Sequence, residues 1–185
     1  MVDLSAAPFN LDEQGQTWVR DTLAGMDLRT KVGQLFHLAL LMPDEKFVDA
    51  MFEIAPPNGF MLRGMPLADV VKFNGYVQSK SSVPALLAAN LEKGADGLIG
   101  EGTSFGSPMQ VAATGNVDFA SKFGVSTGRE ARAAGCNWGF SPIVDIQYYH
   151  NNPITNIRCF GSFPETVASM SEAMIRGMES QGVAA

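Results

Sequence analysis

Basic residues are scarce: 13 Lys and Arg stand against 19 Asp and Glu, leaving the 185-residue chain a formal net charge of −6. A surface that neutralises phosphates needs a basic face, so this balance argues against a nucleic-acid partner. Cysteine is nearly absent. Cys136 and Cys159 are the only two; they are too few for a disulfide framework, and no Cys-x-x-Cys pair offers a zinc site. The setting this implies is reducing and cytoplasmic, with no metal and no cofactor. The two histidines, His37 and His150, have no second histidine at metal-ligand spacing. No apolar run approaches the roughly 20 residues needed to span a bilayer. Met1-Val2-Asp3-Leu4-Ser5 lacks the basic start and apolar stretch of a signal peptide, so no membrane partner is expected. Solenoid repeats, low-complexity tracts and Ser/Pro-rich linkers are missing too. What remains is ordinary globular composition, 46% hydrophobic and 17% charged. That excludes disorder, and the length suits one domain or part of a larger one.

Short apolar runs alternate with amphipathic segments. Residues 1–10 read as an arm. Residues 12–24 have helical spacing, with Trp18, Val19 and Leu23 on one face. Asp27 reads as the N-cap of a second short helix carrying Leu28, Val32 and Leu35. The continuous run Leu35–Leu41, stopped by Pro43, predicts a buried strand. Residues 44–55 return to helical spacing and end at Pro56-Pro57-Asn58-Gly59. Phe60–Arg63 is the next strand, and Pro66 opens a helix that runs to about Lys80. Val83–Ala89 is a third strand, followed by a Gly-rich loop from Asn90 to about Ser107. Residues 117–134 place small residues along one helical stripe, and Gly135 is suited to end it. Trp138–Ile146 carries a fourth strand, blemished by Pro142. Pro164 opens a last helix with Val167, Met170, Met174 and Met178 as its stripe, and Gly182 ends it. Val183-Ala184-Ala185 reads as the start of a fifth strand.

This is β-α repeated about four times, which argues for parallel strands with helical crossovers. Two α/β architectures fit, an open doubly wound sheet and a (β/α)8 barrel. A whole barrel takes about 250 residues, so a chain of this length supplies roughly half of one.

In both architectures ligands sit at the carboxyl ends of the strands. Asn90, Glu92 and Lys93 follow the third strand; Asp145, His150, Asn151, Asn152, Asn156 and Arg158 follow the fourth. Carboxylates, amides and a guanidinium near Trp138, Tyr148 and Tyr149 suit a sugar, whose hydroxyls need paired donors and acceptors. Asn/Asp clusters nonetheless mark turns more often than ligand sites. The segment Gly100–Gly106 matches neither nucleotide-binding glycine motif, since Phe105 stands in the way and no strand and helix flank it directly. Ser141 lacks the context of a nucleophile elbow. Cys159 reads as a structural thiol, His37 as a satisfied core histidine, and the ten methionines as core filler.

Several stretches resemble glycoside hydrolase family 3. Lys31-Val32-Gly33-Gln34-Leu35-Phe36 is similar to its opening helix, and Val83–Gly94 to its third-strand segment. Gly128–Trp138 and Phe140–Ile146 are similar to the helix entering the fourth strand and to that strand. Asn152-Pro153-Ile154-Thr155-Asn156-Ile157-Arg158-Cys159-Phe160-Gly161-Ser162 resembles its N-P-x-x-x-x-R-[ST]-F-G-[ST] stretch. The flavour of Ala89-Asn90-Leu91-Glu92, with Gly135-Cys136-Asn137-Trp138, is that of the β-N-acetylhexosaminidase branch.

The resemblance implies an incomplete (β/α)8 TIM-type barrel, about the first four β/α units, with residues 1–185 forming the N-terminal part of the barrel domain. It implies a retaining enzyme hydrolysing terminal β-linked N-acetylhexosamine, with Arg158, Asn90 and Glu92 as substrate-binding residues. Asn90 stands where the family has a sugar-gripping Asp, Lys93 where it has Gly, and Cys159 where it has Ser or Thr. The family's K-H-F-P-G segment, its acid/base loop and its nucleophilic Asp all correspond to positions beyond Ala185. The expectation is therefore a fragment without catalytic residues, inactive alone, which pairs with the missing half-barrel or self-associates through exposed strand edges. The alternatives are a β-glucosidase-type specificity and a non-catalytic sugar-binding or assembly module.

Overall fold

The structure, a computed structural model, describes residues 2–185. Residues 2–12 carry no helix or strand and are largely exposed. Helix α1 (Glu13–Gly25) starts at Asp12, whose carboxylate accepts the Gly15 N–H at 2.7 Å. Helix α2 (Leu28–Gly33) starts in the same way at Asp27, with the Thr30 N–H at 2.7 Å. A carboxylate that accepts an orphan N–H also complements the positive helix end. Then follow β1 (His37–Ala39), α3 (Glu45–Ile54), β2 (Gly59–Leu62), α4 (Leu67–Lys80) and β3 (Leu86–Ala89). The second half contains α5 (Pro108–Ala112), α6 (Val117–Ala133), β4 (Trp138–Gly139) and α7 (Pro164–Glu179).

The sheet runs β1-β2-β3-β4, each neighbour parallel. Strands thus follow one another in space as in sequence, whereas a doubly wound sheet reverses its order at a switch point. Beyond β4, Ala184 bridges Trp138 in parallel. The Gly139 N–H donates to the Ala184 carbonyl at 2.7 Å, and the Ala184 N–H to the Asn137 carbonyl at 3.0 Å. The last residues therefore take the fifth position in the sheet.

Side chains alternate across a strand, and the register sorts them. Phe60, Leu62, Leu87 and Ala89 join Val70, Phe73, Phe123 and Met174 in the core, with Leu38 packed against it. Ala39, Met61, Ala88 and Trp138 are aligned across the sheet on its other face. There the His37 ring meets Trp138 edge-on at 4.9 Å, and Trp138 meets Phe140 at 4.7 Å. Helices α6 and α7 pack closely because glycines face backbone: a Cβ on Gly124 would collide with the Met174 carbonyl. The predicted stripe of Val167, Met170, Met174 and Met178 is buried in this contact and the core behind it.

Four local expectations are corrected. The run Leu35–Leu41 is not a buried strand. β1 is only His37–Ala39, paired with β2 alone within these 185 residues, and Leu35 (81% exposed) and Leu41 (79% exposed) lie outside it. The fourth strand stops at Gly139 rather than continuing through Asp145. Phe140 still donates its N–H to Ala89 at 2.9 Å, but Pro142 has no N–H to continue the ladder. The Gly-rich stretch is not all loop: Ala95–Gly97 forms a 3-10 turn. It leads to α5, where Ser107 and Gln110 form a capping box around Pro108. His37 is half-buried rather than satisfied. Its Nδ1 lies 2.8 Å from Asn58 Oδ1, while its Nε2 has no partner. No helix among the described residues is long and apolar enough to cross a membrane.

Candidate functional site

Parallel pairing puts the carboxyl ends of all the strands on one rim. From β3 the chain leaves as Asn90-Leu91-Glu92. Leu91 is fully buried and anchors the turn, and the Glu92 side chain stays only 15% exposed. From β4 it leaves into a long loop that doubles back. Ile143 bridges Cys159, the Gln147 N–H donates to the Gly161 carbonyl at 2.9 Å, and the Thr155 hydroxyl bonds Gln147 Oε1 at 3.2 Å. The returning limb ends in a 3-10 turn, Asn156–Arg158, sealed by the buried Cys159 and Phe160.

These two exits meet. Arg158 Nε donates to Glu92 Oε2 at 2.7 Å, and Nη2 donates to Oε1 at 2.7 Å. A third bond runs from Nη1 to the Ile154 carbonyl at 3.1 Å. The planar guanidinium is thereby fixed in direction, while its remaining N–H donors stay available at a side chain 38% exposed. The bonds to Glu92 push the Arg158 pKa further up; partial burial opposes this, and the charges on Glu92 and Asp145 add to it. The site therefore presents an oriented cation backed by a partly buried carboxylate. Such a fork can hold two neighbouring oxygens of a neutral polyol, which a lysine ammonium cannot.

Of the three residues expected to bind substrate, Arg158 and Glu92 are joined directly. Asn90 is half-buried at the exit of β3, and its side chain makes no hydrogen bond among the described residues. The other candidates divide. Asn152 Oδ1 accepts the N–H groups of Ile154 and Thr155, at 2.8 and 3.3 Å, so it builds the turn. Asn156 sits at φ 32 and caps the Cys159 thiol through its carbonyl at 3.3 Å. Asn151 and His150 are exposed, the latter with its ring 5.9 Å from Tyr149. Gln147, buried and bonded to Thr155, went unnoticed in the sequence although it stands beside the aromatic pair; a lone glutamine carries no local signal. Among the described residues no group of three His, Cys, Asp or Glu could hold a metal ion.

Both thiols are buried and unpaired. Burial pushes Cys136 up to about 11, which leaves it a protonated core residue. An apolar groove of about 580 Å³ lies between α1 and α2, lined among others by Trp18, Leu23, Val32 and Leu35. It offers Lys31 as its one charged group and none of the rim chemistry.

Residues 67–185 match the family described as Glycosyl hydrolase family 3 N terminal domain. The whole chain is 44% identical to a beta-N-acetylglucosaminidase/beta-glucosidase of Cellulomonas fimi, covering 33% of that protein. A 112-residue stretch, 57% of the chain, is 34% identical to beta-hexosaminidase A of Pseudoalteromonas piscicida and covers 19% of it. Among solved structures, a beta-glucoside phosphorylase, BglX, bound to 2FGlc superposes with a TM-score of 0.91 at 36% identity. That match covers 97% of this chain and 33% of the other. A glycoside hydrolase family 3 beta-N-acetylglucosaminidase from Paenibacillus sp. superposes at 0.76 with 25% identity, over 86% of this chain and 32% of the other. The chain thus spans a third of the Cellulomonas relative and a fifth of the Pseudoalteromonas one.

Proposed function

The chain belongs to glycosyl hydrolase family 3, and on that premise we propose that it forms the nonreducing-end sugar pocket of an enzyme acting on terminal β-linked N-acetylhexosamine with retention. The observation that carries this reading is the Arg158–Glu92 fork at the strand exits. Arg158 grips two sugar oxygens through the N–H donors that Glu92 leaves unused. Glu92 holds the fork in place. Asn90 can both donate to and accept from a hydroxyl, without the charge of an aspartate. The name of the Pseudoalteromonas relative supports the hexosaminidase specificity, while that of the Cellulomonas relative covers both N-acetylglucosamine and glucose.

Retaining cleavage needs a nucleophile and an acid/base flanking the scissile bond. None of these residues fills either role, so the 185 residues by themselves bind sugar without turning it over. Further barrel strands, from the same protein or a second copy, would pair along the open edge of β1. Two free thiols fit a reducing, cytoplasmic setting.

Calorimetry with N-acetylglucosamine tests the pocket. Arg158→Ala should weaken binding by about 1–3 kcal/mol, the cost of leaving buried partners unpaired. Unchanged affinity removes Arg158 from the site. Release of the chromophore from an aryl β-N-acetylglucosaminide by the pure 185-residue chain would overturn the proposed inactivity.

A second reading rests on the BglX likeness. That protein is a beta-glucoside phosphorylase, so glucose as the bound sugar and phosphate as the acceptor form the alternative. Phosphate-dependent formation of a sugar 1-phosphate by the natural protein carrying this chain would favour it over hydrolysis.

A further inference from the structure

We infer that Glu130, on α6, is a positioning residue for the sugar-binding pair, acting on Glu92 through Thr103. The inference rests on the reading of Arg158 as a sugar ligand held in place by Glu92.

After Glu92 the chain runs out as Lys93-Gly94 and returns as Thr103-Ser104-Phe105. The two limbs are joined. The Lys93 carbonyl accepts the Phe105 N–H at 2.7 Å, and Gly94 bridges Ser104 in antiparallel fashion. They also touch: Gly94 has φ +139, and a Cβ there would run into the Thr103 carbonyl. The outgoing limb that carries Glu92 is therefore placed by wherever the returning limb is held.

Helix α6 holds the returning limb at two points. The Glu130 carboxylate takes both donors of Thr103, its N–H at 2.8 Å and its hydroxyl at 2.6 Å. About two turns earlier on the helix, Phe123 meets the Phe105 ring at 5.1 Å. The loop is tied once more at its tip, where Glu101 accepts the Leu67 N–H at 3.0 Å. Helix α6 is itself locked to α7 by glycine-to-backbone contact. Helix α7 begins at Pro164, six residues after Arg158, with the buried Cys159 and Phe160 in the intervening segment. One helix pair thus carries both ends of the fork: α7 carries Arg158 by chain continuity, and α6 carries Glu92 through Glu130.

The bonds to Glu130 lie at the surface, so Thr103 can turn to water when they are lost. The fold then survives, but the loop limb spreads over several positions and Arg158 loses its fixed partner. Affinity should fall more than stability does. A plain loop tie would lower the melting temperature and leave the affinity of the folded protein unchanged.

The test is calorimetry of the full 185-residue chain with N-acetylglucosamine, with melting temperatures measured alongside. Glu130→Ala should weaken binding about tenfold, the order expected for losing two bonds to a charged acceptor. Glu130→Gln, whose amide oxygen still accepts the Thr103 N–H, should recover most of it. Thr103→Ser keeps both donors and should bind as the parent does; Thr103→Val loses the hydroxyl and should fall between. If Glu130→Ala does not fold, the Ser and Val variants at position 103 carry the comparison, and equal affinity in the two overturns the inference. It is also overturned if Glu130→Ala folds and binds within about twofold of the parent while Arg158→Ala does not. If Arg158→Ala binds normally, the sugar-site reading fails first and this inference with it.

Discussion

Arg158 and Glu92 stand 66 positions apart in the chain and meet through two bonds of 2.7 Å each. The carboxylate is 15% exposed and the guanidinium 38%, so the pair is neither a surface ion pair nor a core one. Its effect is directional: it fixes the plane of the guanidinium while leaving some donors unused.

Glu92→Gln keeps an acceptor and removes the charge. Because water reaches Arg158, the stability cost should be about 1 kcal/mol rather than the roughly 3–5 of a fully buried pair. Urea unfolding measures that cost. Sugar affinity should drop as well, since one of the two parallel bonds is lost; an unchanged affinity would show that the fork's direction does not matter.

His37 makes stability depend on pH. Burial holds its pKa below the ordinary 6.5, partly offset by the hydrogen bond with Asn58. As pH falls below 6.5, the unfolded chain takes up the proton before the folded one does. The stability tied to His37 is thus complete above 6.5 and declines below it, until pH reaches the lowered folded-state value. Parent and His37→Gln unfolding midpoints, compared at about pH 7.5 and about pH 5.5, should show the larger acid loss in the parent. Equal losses would mean that the imidazole is not desolvated.

Two glycine-to-alanine changes should act in opposite directions. At Gly124 the new methyl meets the Met174 backbone carbonyl, and backbone cannot swing aside. The α6–α7 contact must open, at a cost of about 1–3 kcal/mol. At Gly75, inside α4, nothing lies within 4 Å, so alanine should stabilise by up to about 1 kcal/mol through helix propensity alone. Thermal melts of the two variants decide both signs.

Neither thiol should react in the folded protein. Cys136 is 1% and Cys159 0% exposed, and burial pushes Cys136 up to about 11, far from the thiolate form at pH 8. Ellman's reagent should find no thiol in native protein and both in denaturant. A fast native reaction would show that the core opens readily.

Much of the architecture lies in short-range pattern. Asp27 ahead of apolar spacing announces one helix start, and Pro164 another, whereas the Asp12 cap emerges only in the structure. The methionines at 170, 174 and 178 repeat at helical intervals and are buried as read. The capping box at Ser107 and Gln110, with Pro108 at the first helical position, borders a stretch whose glycines read as loop. The run Leu35–Leu41 misled for another reason. Its composition reports a preference for burial, whereas only His37–Ala39 enters the backbone ladder. Pro142 carried the correct warning about the fourth strand, where the missing N–H outweighed the apolar residues around it.

The candidate site divides in the same way. Resemblance singled out Asn90 and Glu92 on one motif and Arg158 on another. That Glu92 and Arg158 are partners, that Asn152 is spent on its own turn, and that Glu130 reaches Thr103 appear only in the folded chain. By itself the sequence determined the β/α alternation, the Asp27 cap and the family, because each is written in residues within a few positions of one another. Tertiary structure alone decided the extent of β1, the strand order and the joining of Arg158 to Glu92. Each of these is a contact between distant segments, set by packing and backbone pairing that no local stretch of sequence contains.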